Sequence, residues 1–254
     1  MIQTIEHGPV RELRLDRPPA NALSPELIVA LRQAVEVAPR EGARALVLSG
    51  APRRFSGGLD VPLLLTLDRR AMDAVWRDFY GLLRALAAST VPIAAAITGH
   101  APAGGTVLAL FCDWRIVAAG DWAIGLNEVQ VGLPLPPVIY RALQRLVGPR
   151  QAGRLALEGV LISPVEAASI GLVDEVVPPD QVVESAVAWC QKLLAVPQGA
   201  LALTRREARA ELVGFFGSDL SSELQEVSAA WWADETQRVL RGLVERLAQK
   251  KSSK

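Results

Sequence analysis

Only two of the 254 residues are cysteine, Cys112 and Cys190, and both sit in apolar segments. That excludes a disulfide framework and reads as buried thiols in a reducing compartment. Charge is balanced, with 27 Lys plus Arg against 27 Asp plus Glu. Bulk charge therefore supports neither a nucleic-acid nor a membrane-surface role, and neither partner is expected. No apolar run approaches bilayer-spanning length. The opening MIQTIEHGPV has no signal-like apolar core and no Arg-rich transit pattern, so a cytoplasmic protein is expected. Also missing are a metal-ligand cluster, a P-loop and a GxGxxG turn, so no metal site is expected.

What remains is enough apolar sequence for a full core, arranged as alternating strands and helices. Ile2 to Ile5 and Val10 to Leu15 predict a hairpin turning at His7-Gly8-Pro9, and Asp16 to Asn21 then breaks regular structure. Ser24-Pro25-Glu26 opens a helix as N-cap, first-position proline and first-turn acid, with Leu27, Leu31, Ala34, Val35 and Ala38 as its stripe. Ala43 to Ser49 reads as a buried strand, which implies a crossover and a parallel sheet. A helix over Met72 to Leu86 leads to a strand from Val91 to Ile97, and Arg115 to Ala118 is another. Trp122 to Leu126 then brings the chain to Asn127-Glu128. Helices follow from Val138 to Leu146, from Pro149, and from the capping box at Ser163 to Gly171. Asp174 to Val177 is a last short strand. Beyond Pro178 the pattern is helical, so the expected division is an α/β core over 1–177 and a helical subdomain over 178–254. Lys250 to Lys254 is expected to fray.

Two stretches share one design. Phe55-Ser56-Gly57-Gly58-Leu59-Asp60 and Ala103-Gly104-Gly105-Thr106 each pass from a strand through paired glycines to a helix, the second predicted over Thr106 to Phe111. Helix starts leave backbone N–H groups unpaired, and these suit a developing negative charge. Two such groups from neighbouring loops can form an oxyanion hole. The plain alternative is a pair of tight packing turns.

Five segments in order decide between them: RPPANAL, RFSGGLD, TGHAPAGGTVLALFCDWRIV, AIGLNEVQVGL and ISPVEAASIGLVDEVV. Together they resemble the crotonase (enoyl-CoA hydratase/isomerase) superfamily over nearly the whole chain. FSGGLD, APAGG and IGLNE resemble its mitochondrial-type enoyl-CoA delta isomerases. The resemblance implies an α/β fold, a spiral of β-β-α units with a helical C-terminal subdomain that mediates trimers. It implies an acyl-CoA thioester substrate, CoA being part of the substrate and no separate cofactor, and a homotrimer or dimer of trimers.

By position, the resemblance puts the two oxyanion-hole N–H groups at Leu59 and Gly104, and an adenine contact at Gly57. Arg17, with Arg53 and Arg54, is a candidate for the CoA phosphates. Hydratases of the family carry two glutamates; here one position holds Val107 and the other Glu128. A single carboxylate suffices to move a proton from the alpha to the gamma carbon, so the expectation is an isomerase with Glu128 as sole acid/base. The alternatives are an enoyl-CoA hydratase or a non-catalytic CoA-ester-binding homologue. Asp60 is read as a helix cap, Asp113 as a structural acid and His100 as a loop residue without a partner. Trp231 and Trp232 are read as core or subunit interface, not acyl pocket.

Overall fold

The computed structural model describes residues 1–217 and 220–252, with side chains as far as 249. β1 (Ile2–His7) and β2 (Val10–Leu15) form the expected antiparallel hairpin, with Ile2 opposite Leu15 and His7 opposite Val10. α1 (Pro25–Val37) starts as predicted, Ser24 Oγ accepting from the Leu27 N–H at 3.3 Å. It crosses to β3 (Ala45–Ser49), which runs parallel to β2.

From β3 onward the chain repeats one motif. β3 is followed by the two-residue β4 (Arg53–Arg54), then α2 (Val61–Leu64) and α3 (Arg69–Ala88). β5 (Ile93–Ile97) is followed by β6 (Gly99–Pro102) and α4 (Gly104–Leu110). β7 (Trp114–Ala118) is followed by β8 (Ile124–Gly125), a 3-10 turn over Glu128–Val131 and α5 (Pro137–Glu158). The first strand of each unit joins a six-stranded sheet in the order β1-β2-β3-β5-β7-β9, and the second joins a small parallel sheet, β4-β6-β8. This is the spiral of β-β-α units. α6 (Pro164–Ser169) and β9 (Glu175–Val177) complete the large sheet.

The central strands β3, β5 and β7 are buried on both faces, which is why they read as continuous apolar runs. Alternation sends Leu46, Leu48, Ile93 and Ile97 into the main core with α1 and α3. It sends Ala45, Val47, Ala94, Ala96 and Ile116 to the other face, where Val182, Ala186, Val187 and Cys190 of α7 (Val182–Leu194) cover them. α7 thus follows residue 178 in sequence yet packs on the large sheet. α8 (Gln198–Gly214), α9 (Ser221–Trp231) and α10 (Asp234–Ser252) form the helical end, with α8 and α9 against α3. α10 stays helical to Ser252, and the rest of the segment expected to fray lies outside the described residues.

Candidate active site

The two glycine pairs meet. A Cβ on Gly58, whose φ is +82°, would lie 3.1 Å from Gly104 N and 3.2 Å from Ala103 Cβ. A Cβ on Gly105 would lie 2.5 Å from Ser56 O, closer than any side chain tolerates. The turns can therefore approach this closely only as glycine. α4 begins at Gly104, two residues before the predicted start, because β6 occupies the stretch read as part of the turn. Ala103 takes the strain of that entry, with φ 47° and ψ −119°.

Leu59 forms a parallel bridge with Leu23, closed by Leu23 N–H to Gly58 O (2.8 Å) and Asp60 N–H to Leu23 O (3.1 Å). The Leu59 N–H is not used in it. Neither that group nor the Gly104 N–H has a hydrogen-bond partner among the described residues. Both residues line a cavity of about 160 Å³. Two unpaired backbone donors in one cavity of mostly apolar lining can hold an oxyanion.

A buried side chain that the sequence reading left without a role fixes the first turn. Asn21, at φ 50°, donates to Phe55 O at 3.1 Å and accepts from Arg17 N–H at 2.8 Å. Thr106 does the same for the second turn. Its Oγ1 donates to Ala101 O and accepts from the Gly125 N–H at 2.9 Å, and Ala103 N–H donates to Gly125 O. β8 is thereby pinned beside α4, which delivers Asn127 and Glu128 into the cavity.

Glu128 opens the 3-10 turn, which Gly132 (φ 77°) closes; Thr236 of α10 donates to Gly132 O at 2.6 Å. Glu128 is partly exposed as a residue, yet its Oε2 is buried and unpartnered. Loss of water pushes its carboxyl up to about 7, against the opposing pull of its own backbone N–H. Asn127 lines the cavity beside it, as does the apolar Val107. A base poised near neutrality in an apolar cavity suits proton transfer at carbon.

Gly57 lines the cavity, but Arg17 does not. Arg17 is held beside the first glycine turn, by Asp60 (2.6 Å) and by Ala22 O (3.1 Å), and stays partly exposed. Arg53 stacks on Trp122 at 5.7 Å, and Arg54 donates to Pro19 O. Asp60 caps α2 through the Leu63 N–H at 3.2 Å, as expected. Asp113 is structural, as expected: it accepts from Ile93 N–H and pairs with Arg205 and Arg209.

One reading needs correction. His100 has a partner, its Nδ1 accepting from the Ala123 N–H at 3.0 Å, because β6 and β8 are paired there. Trp231 is in the core, as expected (0% exposed), and also lines the cavity, packed edge-on to Trp76 at 6.0 Å and 77°. α9 turns its apolar stripe over the pocket, and a stripe alone does not distinguish a lining from a core. Trp232, by contrast, carries Arg69 over its ring at 5.4 Å.

A two-sheet spiral with a cavity between its glycine turns and a helical end defines the crotonase class. The chain belongs to the enoyl-CoA hydratase/isomerase family, whose model matches residues 6–249. It is 32% identical to enoyl-CoA delta isomerase 1, mitochondrial, of Mus musculus over 99% of this chain and 88% of the relative. It is 36% identical to the probable enoyl-CoA hydratase EchA17 of Mycobacterium tuberculosis, over 76% of this chain and 74% of the relative. The solved human mitochondrial delta3-delta2-enoyl-CoA isomerase superposes with a TM-score of 0.93 at 30% identity, covering 98% of this chain and 99% of that one. Among the described residues no helix is long and apolar enough to cross a membrane, and no group of three or more His, Cys, Asp and Glu could hold a metal ion.

Proposed function

We propose that this protein shifts the double bond of a 3-enoyl-CoA into conjugation, giving the 2-trans-enoyl-CoA. The observation that carries this reading is that Glu128 is, among the described residues, the one carboxylate lining a cavity in which Val107 is apolar. The ionised Glu128 takes a proton from the alpha carbon, between the thioester and the alkene. The electron pair spreads over the thioester as a dienolate, whose oxygen the Leu59 and Gly104 N–H groups hold. Glu128 then returns its proton to the gamma carbon, so no proton is gained or lost overall. One oxyanion-hole donor is typically worth roughly 2.7–4 kcal/mol, and general acid–base catalysis about 10²–10⁴-fold.

Hydration needs a water held at the beta carbon, and a lone carboxylate beside valine is poorly equipped to place one. Gly57 at the exposed mouth fits a CoA contact, and CoA enters as part of the substrate. A homotrimer or dimer of trimers belongs to the same reading; the exposed apolar Leu157 and Val165 are consistent with a further interface. The test is incubation with 3-enoyl- and 2-enoyl-CoA esters, with products separated by mass. The expected result is isomerisation of the former and little hydration of crotonyl-CoA. Efficient formation of 3-hydroxyacyl-CoA would favour a hydratase instead.

A further inference from the structure

The cavity has a direction. Gly57 is exposed and Leu59, Val61 and Glu128 are partly so, whereas Phe79 (3% exposed), Trp76 (4%), Leu240 (0%) and Trp231 (0%) are buried. The mouth thus lies at Gly57 of the first glycine turn and the exposed Pro134, and the closed end at the two tryptophans. An acyl chain whose thioester sits by Leu59 and Gly104 must run toward Trp76 and Trp231.

That end is firmly built. Trp76 is on α3 and Trp231 on α9, and the two helices are tied by Tyr80 O–H to Glu223 (2.8 Å) and Ser228 O–H to Asp73 (2.6 Å). Both indole N–H groups are buried without an acceptor. An unmet buried donor costs about 1–3 kcal/mol, a penalty phenylalanine would avoid. Two adjacent tryptophans that each forgo a hydrogen bond are in place for their bulk. Neither nitrogen is accessible, so a polar group on the chain would find no partner there.

We propose that the Trp76–Trp231 pair sets the length of the acyl chain, limiting the substrate to short hydrocarbon chains without a polar tail. A cavity of about 160 Å³ is close in size to one of about 150 Å³ that holds benzene, so it houses a chain of roughly six heavy atoms. This rests on the reading that the cavity takes 3-enoyl-CoA esters.

The test compares kcat/KM for 3-hexenoyl-, 3-decenoyl- and 3-hexadecenoyl-CoA in the wild type, Trp231→Phe and Trp76→Phe, with calorimetric binding of the saturated esters alongside. The wild type should handle decenoyl- and hexadecenoyl-CoA at least about tenfold less well than hexenoyl-CoA, and at least one variant should close the gap between hexenoyl- and decenoyl-CoA by about tenfold. A wild type that prefers the longest ester, or folded variants with unchanged ratios, would overturn the proposal. If no 3-enoyl ester is turned over but binding of the saturated esters shows the same cut-off, the isomerase reading fails and the length limit stands. Turnover without any cut-off overturns the length limit alone.

Discussion

Glu128 and Val107 line the same cavity, one from the 3-10 turn after β8 and the other from the first half of α4, and only one can carry a proton. That asymmetry separates a proton shift from water addition. Val107→Glu places a second carboxyl in a space shaped for valine, where Val107 is 1% exposed. Burying it costs a few kcal/mol unless it is partnered, and two close carboxylates push one pKa up. We expect at most weak gained hydration of crotonyl-CoA and slower isomerisation, read from product masses; strong hydration with isomerisation intact would show that the site takes a second carboxyl without the burial cost argued here.

The Glu128 carboxyl, raised to about 7 by burial, must be ionised to act as a base. The kcat/KM for a 3-enoyl-CoA should therefore climb about tenfold per pH unit below 7 and level off above it. Stability should run the other way. The folded chain holds this proton more tightly than the unfolded one, so the benefit is full below about 4.5 and is lost as pH rises through about 7. At pH 8 Glu128→Gln should be more stable than the wild type by up to roughly 3 kcal/mol, and the gap should shrink toward pH 4.5. Denaturant midpoints at the two pH values check it; a gap that widens on acidification has the wrong sign.

Ala103 carries a φ of 47° where a side chain is strained. Such a residue costs about 1–3 kcal/mol, against about 0.4–1 kcal/mol of extra unfolded-chain entropy for glycine. Ala103→Gly should raise stability by roughly 1 kcal/mol and Tm by about 2–4 °C. A lower Tm would mean that the Ala103 methyl group contributes more packing than the backbone costs.

Asp113 joins the start of β5 to α8. It accepts from the Ile93 N–H at 2.8 Å and pairs with Arg205 (2.8 Å) and Arg209 (3.0 Å), both guanidinium groups being nearly buried. Asp113→Ala leaves two cations without their counter-charge and should cost about 3–5 kcal/mol. Urea unfolding decides; a loss below about 1 kcal/mol would mean the arginines re-pair or reach water.

Local chemistry was the part of the fold that sequence could express. Ser24 and Asp60 announce helix starts through short side chains beside proline, and ALVLS and IAAAI announce strands buried on both faces. The small sheet was silent: Arg53–Arg54, Gly99–Pro102 and Ile124–Gly125 are too short to show a period. The glycine turns were legible as turns, but their mutual contact depends on β4 and β6 pairing in register. Glu128 stood out through the family motif, not through its own neighbours. Trp231 lies 103 residues further along, and only the packing of α9 against α3 brings it to the same cavity.

The most direct test of the account is the turnover of 3-hexenoyl-CoA by Glu128→Gln, with binding of hexanoyl-CoA measured in the same preparation. The amide keeps the shape of the side chain and removes its capacity to accept and return the proton. The rate should fall at least about 10²-fold while the affinity stays nearly unchanged. Near-full turnover by the folded variant would contradict the account and remove Glu128 from the chemistry.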